Sequence, residues 1–418
     1  MSRYDESMQI LKLVLENGIE ASLESFTRFM HFLGDPQNDY PCVQIAGTNG
    51  KTSTSRYTTA ILKACGLKTG LYTSPELMFY PERMEIDGAV ASDDMFAEVI
   101  IETWELANEA IGAGVIDFIT EFEILTAAAF RLFKQEKVDW GVLEVGLGGR
   151  WDATSVVTPK VAVFTGIDLD HTHILGDTVE LIAAEKAAII KPGSIAVLGP
   201  GTRDTRQVFL DRCAEVGAEY HFIGPPYAHF DYIGPVYQTI NISTAWVAAE
   251  QAIGDYIPIE TVQAALDGLV VPGRFEVLRE EPLLMIDATH NPQAAEYLKM
   301  AMEDRFSFST TSDGATRVNE LDTLVLGILA DKDARGIIDI LTPMFNNLVV
   351  TQSTSHRAIP AAELADMVEA YDGRRPVVCA TIEEAMAYVE SLGVSAMYTG
   401  SITVAGESKV VYLQEYAK

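Results

Sequence analysis

The sequence has few cysteines, no long hydrophobic run and little positive charge. Its four cysteines, Cys42, Cys65, Cys213 and Cys379, are too scattered for a metal site. No apolar run reaches the roughly 20 residues of a membrane span, and the first residues lack the basic start and apolar core of a secretory signal. We therefore expect a cytoplasmic protein, without membrane contact, whose thiols are reduced and mostly buried.

Acidic residues outnumber Lys and Arg by 60 to 30, which gives a net charge of −30. This balance argues against nucleic-acid binding, because phosphate backbones are bound by clustered positive charge. An anionic ligand would need a local concentration of positive groups, and Lys51, Arg150, Lys186 and Arg274 do lie beside the motifs described below. We interpret the remaining acidic excess as a soluble surface.

The most informative stretch is residues 43–54, VQIAGTNGKTST. A short apolar run ends in a glycine-flanked turn, and a lysine and a hydroxyl precede a helical pattern. Backbone N–H groups of such a turn and the helix dipole attract phosphate oxygens. Lys51 would reach the β- and γ-phosphates of a nucleotide, and the Thr52 hydroxyl would face Mg²⁺.

The full Walker pattern has a glycine where this chain has Ile45, but its end, Gly50-Lys51-Thr52, is intact. The alternative is an ordinary strand-to-helix turn with a solvated lysine. We predict that the turn binds nucleotide phosphates through Gly47, Thr48, Asn49, Gly50, Lys51 and Thr52.

The 418 residues, 48% of them hydrophobic, suffice for two or three globular domains. Strand-like and helix-like segments alternate along the chain, which predicts a parallel, doubly wound sheet. The alternation restarts after the turn at residues 271–274, so we predict a domain of residues 1–271 and a smaller α/β domain of residues 272–418. Residues 76–92 are polar and irregular, which is typical of a mobile loop over a site.

Polar side chains stand at the carboxyl ends of several predicted strands, where ligands gather in open α/β sheets. They are Ser74, Glu144 and His171, together with the phosphate turn. Mg²⁺ prefers oxygen ligands, which Thr52 and Glu144 supply, and a carboxylate in an apolar strand is costly to bury unpaired. Histidine is a less usual magnesium ligand, and the simpler interpretation of His171 alone is a hydrogen-bonded loop residue.

Two further stretches carry polar groups in suggestive surroundings. Lys186 lies in the apolar helical segment AAEKAAII, where burial would lower its pKa and make a neutral amine available. The alternative is that Lys186 pairs with Glu185 or extends to solvent. Residues 287–292, DATHNP, follow a strand and precede a helix, as a ligand site or a turn capped by Asn291 would.

With these stretches in hand, the chain resembles the folylpolyglutamate synthase/dihydrofolate synthase family, within the Mur ligase superfamily. The resemblance runs in order through AGTNGK at 46–51, GLYTSP at 70–75, EFE at 121–123, EVGLGGRWDAT at 144–154, DH at 170–171, EKA at 185–187, PGR at 272–274, DATHNP at 287–292 and GS at 400–401. The first motif is shared by Mur-type ligases, whereas GLGGRxDAT is specific to the folate branch.

The resemblance implies a P-loop ATPase domain with a parallel sheet, residues 1–271, and a Rossmann-like glutamate ligase domain, residues 272–418, with the active site in the cleft. It also implies that ATP, with Mg²⁺, phosphorylates a carboxylate of dihydropteroate or a reduced folate. The amine of L-glutamate then displaces phosphate from the acyl phosphate. The partners would be these small molecules, and the chain would be a monomer.

The resemblance also assigns roles to single residues. The Mg²⁺ ligands would be Thr52, Ser74, Glu144 and His171. Lys186 would react with CO₂ to give a carbamate and would be catalytic together with Lys51 and His290. Further contacts with ATP would come from Asn241, Arg274 and Asp287, and Ser401 would lie near the incoming glutamate.

The chain departs from the family's usual pattern at several positions. Thr52-Ser53 replaces Gly-Ser, Glu76 replaces a histidine, and Ala288-Thr289 replaces Gly-Ala. These changes affect the choice of folate substrate more than the metal and phosphate assignments. Two other functions stay open: a Mur-type amino-acid ligase for another carboxylate acceptor, and a nucleotide-driven regulator that forms no amide.

Overall fold

The computed structural model describes residues 2–15, 18, 22–225, 230, 234–235, 237–310 and 316–417. The chain forms two compact units, Met1–Tyr232 with Thr239–Leu269 and Ile233–Gln238 with Val270–Lys418. The division of function at residues 271/272 stays a prediction. Among the described residues, no helix combines the length and the apolar character that crossing a bilayer requires.

The first unit contains an eight-stranded sheet in the order β4-β3-β2-β5-β1-β6-β7-β8. In chain order its strands are β1 Cys42–Ala46, β2 Thr69–Tyr72, β3 Met84–Ile86, β4 Ala89–Val90, β5 Trp140–Glu144, β6 Val161–Gly166, β7 Ile195–Gly201 and β8 Glu219–Phe222. The six strands from β2 to β8 in the sheet order are parallel. The predicted parallel sheet is confirmed, and its central strands β1 and β5 are buried throughout.

The helices of this unit include three whose first turn is capped by a hydroxyl side chain. In chain order the helices are α1 Arg3–Leu15, α2 Glu24–Phe32, α3 Lys51–Ala64, α4 Asp93–Gly112, α5 Glu121–Gln135, α6 Thr172–Leu175, α7 Val179–Ala187, α8 Arg206–Val216, α9 Gln238–Ile253 and α10 Ile259–Leu266. The Ser92 side chain caps α4, as predicted, Thr120 and Glu123 form a capping box on α5, and the third capped helix is α7. One apolar core joins α1, α2, α4 and α5, and a second joins α7 and α8 to β6 and β7.

Residues 76–92 are not the irregular loop that their composition predicts. They contain a 3-10 turn, Tyr80–Arg83, and the strands β3, antiparallel to β2, and β4, antiparallel to β3, which extend the sheet. The buried carboxylate of Glu85 on β3 pairs with Arg56 at 2.5 Å. The partner Arg56 lies on α3, distant in sequence, so the polar composition of the segment alone does not predict a strand.

The second unit contains a six-stranded sheet in the order β15-β14-β13-β16-β10-β9 and a separate pair, β11-β12. Its strands are β9 Glu276–Arg279, β10 Leu284–Ile286, β11 Phe308–Thr310, β12 Thr316–Val318, β13 Thr323–Leu326, β14 Asn347–Val350, β15 Val377–Val378 and β16 Ala396–Thr399. The helices are α11 Pro292–Arg305, α12 Ala334–Leu341, α13 Ala361–Asp372, α14 Ile382–Leu392 and α15 Ile402–Val411. Five strands are parallel and β9 is antiparallel to β10, so the predicted second α/β domain is confirmed.

Candidate active site

Four predicted ligand-binding features follow four neighbouring strands of the first sheet. Strands β2, β5, β1 and β6 lie side by side. Ser74 follows β2, Glu144 ends β5, the phosphate turn follows β1, and His171 lies beyond β6. Because parallel strands end at the same edge, the sheet brings these features to one side of the first unit.

The phosphate turn has the tight geometry that its glycines predict. Gly50 is left-handed, with φ of 84°, and a Cβ there would lie 2.7 Å from Oδ1 of Asn241. Asn241 therefore lies against the turn, although it is far away in sequence. Lys51 Nζ donates to the backbone oxygens of Gly47 at 3.0 Å and Thr48 at 3.2 Å, so it folds over the turn and is not a solvated lysine.

Two hydrogen bonds to β6 fix the phosphate turn from the other side. Thr165 Oγ1 donates to the backbone oxygen of Asn49 at 2.6 Å, and the N–H of Thr48 donates to Gly166 O at 2.8 Å. Local sequence could not predict these contacts, since they depend on β6 lying beside β1.

The oxygen groups next to the turn suit a hard cation. Thr52 Oγ1 donates to Glu144 Oε1 at 2.9 Å, and Glu144 is only 1% exposed. Ser74 Oγ is buried and has no hydrogen-bond partner within the described part of the chain. Two hydroxyls, one carboxylate and nucleotide oxygens form a donor set that fits Mg²⁺, which keeps part of its water.

His171 has the left-handed φ of 50°, which is uncommon outside glycine and occurs often at functional sites. Its Nε2 lies 3.9 Å from Asp170 Oδ1. The described ranges contain no group of three or more His, Cys, Asp or Glu side chains arranged to hold a metal. A cation at this edge would therefore depend on the single carboxylate of Glu144, on hydroxyls and on the oxygens of a bound nucleotide.

Lys186 is buried, with 5% of its surface exposed. This burial contradicts the interpretation in which Lys186 extends to solvent, and the carboxylate of its sequence neighbour Glu185 pairs with Arg150 at 2.9 Å. Burial, reinforced by the charge of Lys51, lowers the pKa of Lys186 to about 7, and nearby carboxylates only partly oppose this shift. A large fraction of this amine is therefore unprotonated at neutral pH.

The glycine-rich segment 146–150 packs directly on the backbone of α7 at Lys186. The N–H of Arg150 donates to Glu185 O at 3.0 Å. A Cβ at Gly149 would lie 2.8 Å from Glu185 O and 3.1 Å from Lys186 Cα. The segment therefore sets the position of Lys186, a role of the motif that periodicity alone could not reveal.

The second unit places the predicted residues 287–292 at the end of β10. Asp287 accepts hydrogen bonds from the N–H of Phe275 at 2.7 Å and from the N–H and hydroxyl of Thr289 at 2.8 and 2.6 Å. His290 Nδ1 lies 2.9 Å from Ala288 O. Because a carbonyl only accepts, Nδ1 carries the proton and Nε2 of the neutral ring is an acceptor. Asn291 caps α11, as the turn interpretation predicts.

Ser401 follows the neighbouring strand β16, which is parallel to β10. Its hydroxyl caps α15 by accepting the N–H of Val404 at 3.1 Å, and it contacts Thr403 Oγ1 at 3.1 Å. Arg274 lies in the turn before β9 and donates from Nη1 to Gly273 O at 3.0 Å. The second unit thus brings His290 and Ser401 to adjacent strand ends, with Arg274 on the segment bound to Asp287.

Residues 45–206 match the Mur ligase middle domain, and residues 273–398 match the Mur ligase glutamate ligase domain. Fold and site therefore define a Mur-type ligase. The chain is 31% identical over 454 residues to the dihydrofolate synthase/folylpolyglutamate synthase of Mycobacterium tuberculosis, covering 95% of this chain and 91% of that relative. The chain belongs to the dihydrofolate synthase/folylpolyglutamate synthase family and is an ATP-dependent ligase.

Solved structures of this family have the same fold. The folylpolyglutamate synthase of Mycobacterium tuberculosis complexed with ADP superposes with a TM-score of 0.88 at 30% identity, covering 98% of each chain. Escherichia coli FolC in complex with DHPP and ADP superposes with a TM-score of 0.85 at 27% identity, covering 100% of this chain and 99% of that chain. The bifunctional synthase of Yersinia pestis complexed with AMPPNP and Mn gives 0.82 at 28%, covering 99% and 98%.

The contact between segment 146–150 and α7 can be tested with Gly149→Ala. The added methyl group would meet backbone atoms, so we expect the free energy of unfolding to fall by about 1–3 kcal/mol. The matched control is Gly112→Ala, because a Cβ there meets nothing within 4 Å, and we expect it to be neutral or slightly stabilising. Urea unfolding measures both, and equal stability of the two variants would contradict the contact.

Proposed function

We propose that this chain joins the amino group of L-glutamate to a carboxylate of dihydropteroate or of a reduced folate, with ATP as the phosphoryl donor. The observation that carries the proposal is the placement of the phosphate turn and the Thr52–Glu144 pair on one sheet edge, with the buried amine of Lys186 on α7 close enough to Lys51 for that charge to lower its pKa. The family relationship supports the substrate class.

In the first step a carboxylate oxygen of the acceptor attacks the γ-phosphorus of ATP, and ADP leaves. The backbone N–H groups of residues 47–50 and the Lys51 ammonium hold the phosphates as negative charge shifts to the leaving oxygen. Thr52, Ser74, Glu144 and His171 would hold the divalent cation. When bound, the cation offsets repulsion between the phosphates and the anionic acceptor.

In the second step the neutral glutamate amine attacks the acyl carbon, the carbon–oxygen bond to phosphate breaks, and the proton lost by the nitrogen ends on the departing phosphate. His290 and Ser401 are the residues that we assign to the acyl phosphate and the incoming glutamate. In its neutral tautomer the His290 ring offers Nε2 as a hydrogen-bond acceptor for the amine. Asn241, Arg274 and Asp287 complete the proposed contacts with ATP.

Lys186 is proposed to be carbamylated. Its neutral amine attacks CO₂, a nitrogen–carbon bond forms, one carbon–oxygen π pair moves to oxygen, and the nitrogen releases a proton. The product is an anion in place of a cation, and burial keeps the amine neutral enough to react near pH 7. We assign the carbamate the role of a further oxygen ligand beside the nucleotide site.

We also propose that the enzyme acts as a monomer on small molecules in a reducing cytoplasm. Cys42, Cys213 and Cys379 are buried, Cys65 is half-buried, and none of the four forms a disulfide. This is the arrangement that a reducing compartment maintains.

The proposed reaction is tested with Mg-ATP, L-glutamate and either dihydropteroate or tetrahydrofolate. We expect ADP release that depends on the acceptor, and mass spectrometry to show the acceptor enlarged by one glutamate residue. The product obtained from each acceptor tells whether the enzyme makes dihydrofolate, extends the glutamate tail, or does both. ATP hydrolysis that ignores the acceptor would instead support a nucleotide-driven regulator.

Lys186→Ala tests the carbamate. We expect amide formation to be nearly abolished and partly restored by a small added carboxylate, because the missing ligand is an anionic oxygen. The matched control on the same helix is Glu185→Gln, which alters only a partly exposed ion pair.

The carbamate also predicts a pH dependence. Since the folded pKa of Lys186 is lowered to about 7, the reactive neutral amine increases as the pH rises through 7. The carbamate signal of isotope-labelled CO₂ in NMR should increase over the same interval. Full activity of Lys186→Ala would remove this residue from the mechanism.

Glu144→Gln tests the cation site. The amide keeps the shape and the oxygen that faces Thr52 but loses the negative charge, so we expect a higher Mg²⁺ requirement and at least about tenfold slower turnover. The control is Asp139→Asn, at the amino end of the same strand, where the carboxylate accepts the N–H of Lys68. An unchanged Mg²⁺ titration in Glu144→Gln would exclude Glu144 from the site.

A further inference from the structure

We propose that Glu276, held by Lys409, is a positioning residue that fixes the turn bearing Arg274 and thereby sets the affinity for ATP. The inference rests on the proposed contact between Arg274 and ATP. It concerns only the second unit and adds two residues that are not among the site residues assigned above.

The turn is held in an unfavourable backbone conformation. Gly273 has φ of 66° and Phe275 has φ of 50°, so Arg274 stands between two left-handed residues. For a bulky side chain such as Phe275, the left-handed region costs roughly 1–2 kcal/mol. Such a conformation persists only where surrounding contacts impose it.

Two carboxylates impose it, one on each side of Arg274. Glu276 Oε2 accepts the N–H of Gly273 at 2.7 Å, and Asp287 Oδ2 accepts the N–H of Phe275 at 2.7 Å. The oxygen of Gly273 in turn accepts the N–H of Ala288 at 2.8 Å. The backbone on both sides of Arg274 is thus tied to anionic oxygens.

Glu276 is itself fixed by a buried ion pair. Lys409 Nζ lies 2.6 Å from Glu276 Oε1, and the two side chains are 15% and 9% exposed. One carboxylate oxygen therefore binds the lysine and the other binds the turn. Because a buried carboxylate is costly without a partner, Lys409 holds the Glu276 side chain in the position from which it accepts the N–H of Gly273.

Lys409 also connects this turn to the opposite end of α15. The helix begins after Ser401, the residue assigned to glutamate, and Lys409 lies in its last turn. A change at Lys409 leaves the Ser401 cap intact, so the pair should affect nucleotide affinity and spare the affinity for glutamate.

Two double variants separate positioning from stability. Both Glu276→Leu/Lys409→Met and Glu276→Gln/Lys409→Met remove the two charges, and replacing a buried ion pair with uncharged groups of similar size often keeps a protein stable. Only the glutamine offers an oxygen to the N–H of Gly273. Calorimetric titration of the full chain with a non-hydrolysable ATP analogue and Mg²⁺ compares their affinities.

We expect the leucine variant to bind the analogue roughly tenfold more weakly. The affinity of the glutamine variant should stay within about twofold of the parent. Lys409→Arg, which keeps a positive charge opposite Glu276, should bind the analogue normally. KM for glutamate should not change in any of them. The control is Arg279→Met. Arg279 lies on β9, like Glu276, and forms a partly buried ion pair with Glu390, so its loss should leave the affinity for the ATP analogue unaltered.

Arg274→Ala is measured alongside as the reference for the proposed contact. Suppose that Arg274→Ala binds the analogue more weakly, whereas the leucine variant binds it normally and is shown by thermal unfolding to be folded. The positioning role of Glu276 is then overturned, and the contact between Arg274 and ATP stands. If Arg274→Ala binds normally, both fail. Equal weakening in the leucine and glutamine variants would also overturn the inference, because the Gly273 hydrogen bond would then not be the cause.

Discussion

The candidate site depends on one constraint: charged groups are buried, away from water, near the carboxyl edge of the first sheet. Glu144 ends a fully buried strand, and Lys186 lies within an apolar helix. A carboxylate in that position needs hydrogen bonds, and the Thr52 hydroxyl supplies one. Burial of the Lys186 amine instead lowers its pKa, which favours the neutral form. The chemistry of the site follows from where these two groups are buried.

Carboxylates do different work in the second unit. Asp287 and Glu276 bind backbone N–H groups and hold a turn in a left-handed conformation that its own sequence disfavours. They position Arg274 rather than facing a cation. The carboxylate of Glu144 in the first unit lies beside the phosphate turn, whereas the carboxylates of Glu276 and Asp287 fix the backbone of one turn. Asp287 and Glu276, although acidic, therefore have backbone partners, one on each side of Arg274.

The sequence predicts those parts of the fold and site that local pattern determines. The strand, turn and helix around Lys51 were predictable because an apolar run, two glycines and a helical period occur together. The choice between the interpretations of Lys186 required tertiary contacts, since only the fold shows that Glu185 is taken by Arg150. Local sequence could not predict the contact of Asn241 with Gly50, because the two residues are far apart in the chain. It could not predict strand β3 either, because the partner of its buried Glu85 lies on helix α3.

Glu76 shows how a departure from the family pattern is absorbed. The family resemblance predicts a histidine at this position, whereas Glu76 pairs with Arg83 at 2.5 Å, and Arg83 also lies 3.7 Å from Glu121. Burial alone would lower the pKa of Arg83, but the two carboxylates outweigh it and raise that pKa. Arg83 is thus the shared partner of two carboxylates, Glu76 and Glu121, inside the first unit. A histidine in place of Glu76 could not form this ion pair with Arg83, because its ring is either neutral or a cation, so the glutamate in this chain comes with its own partner.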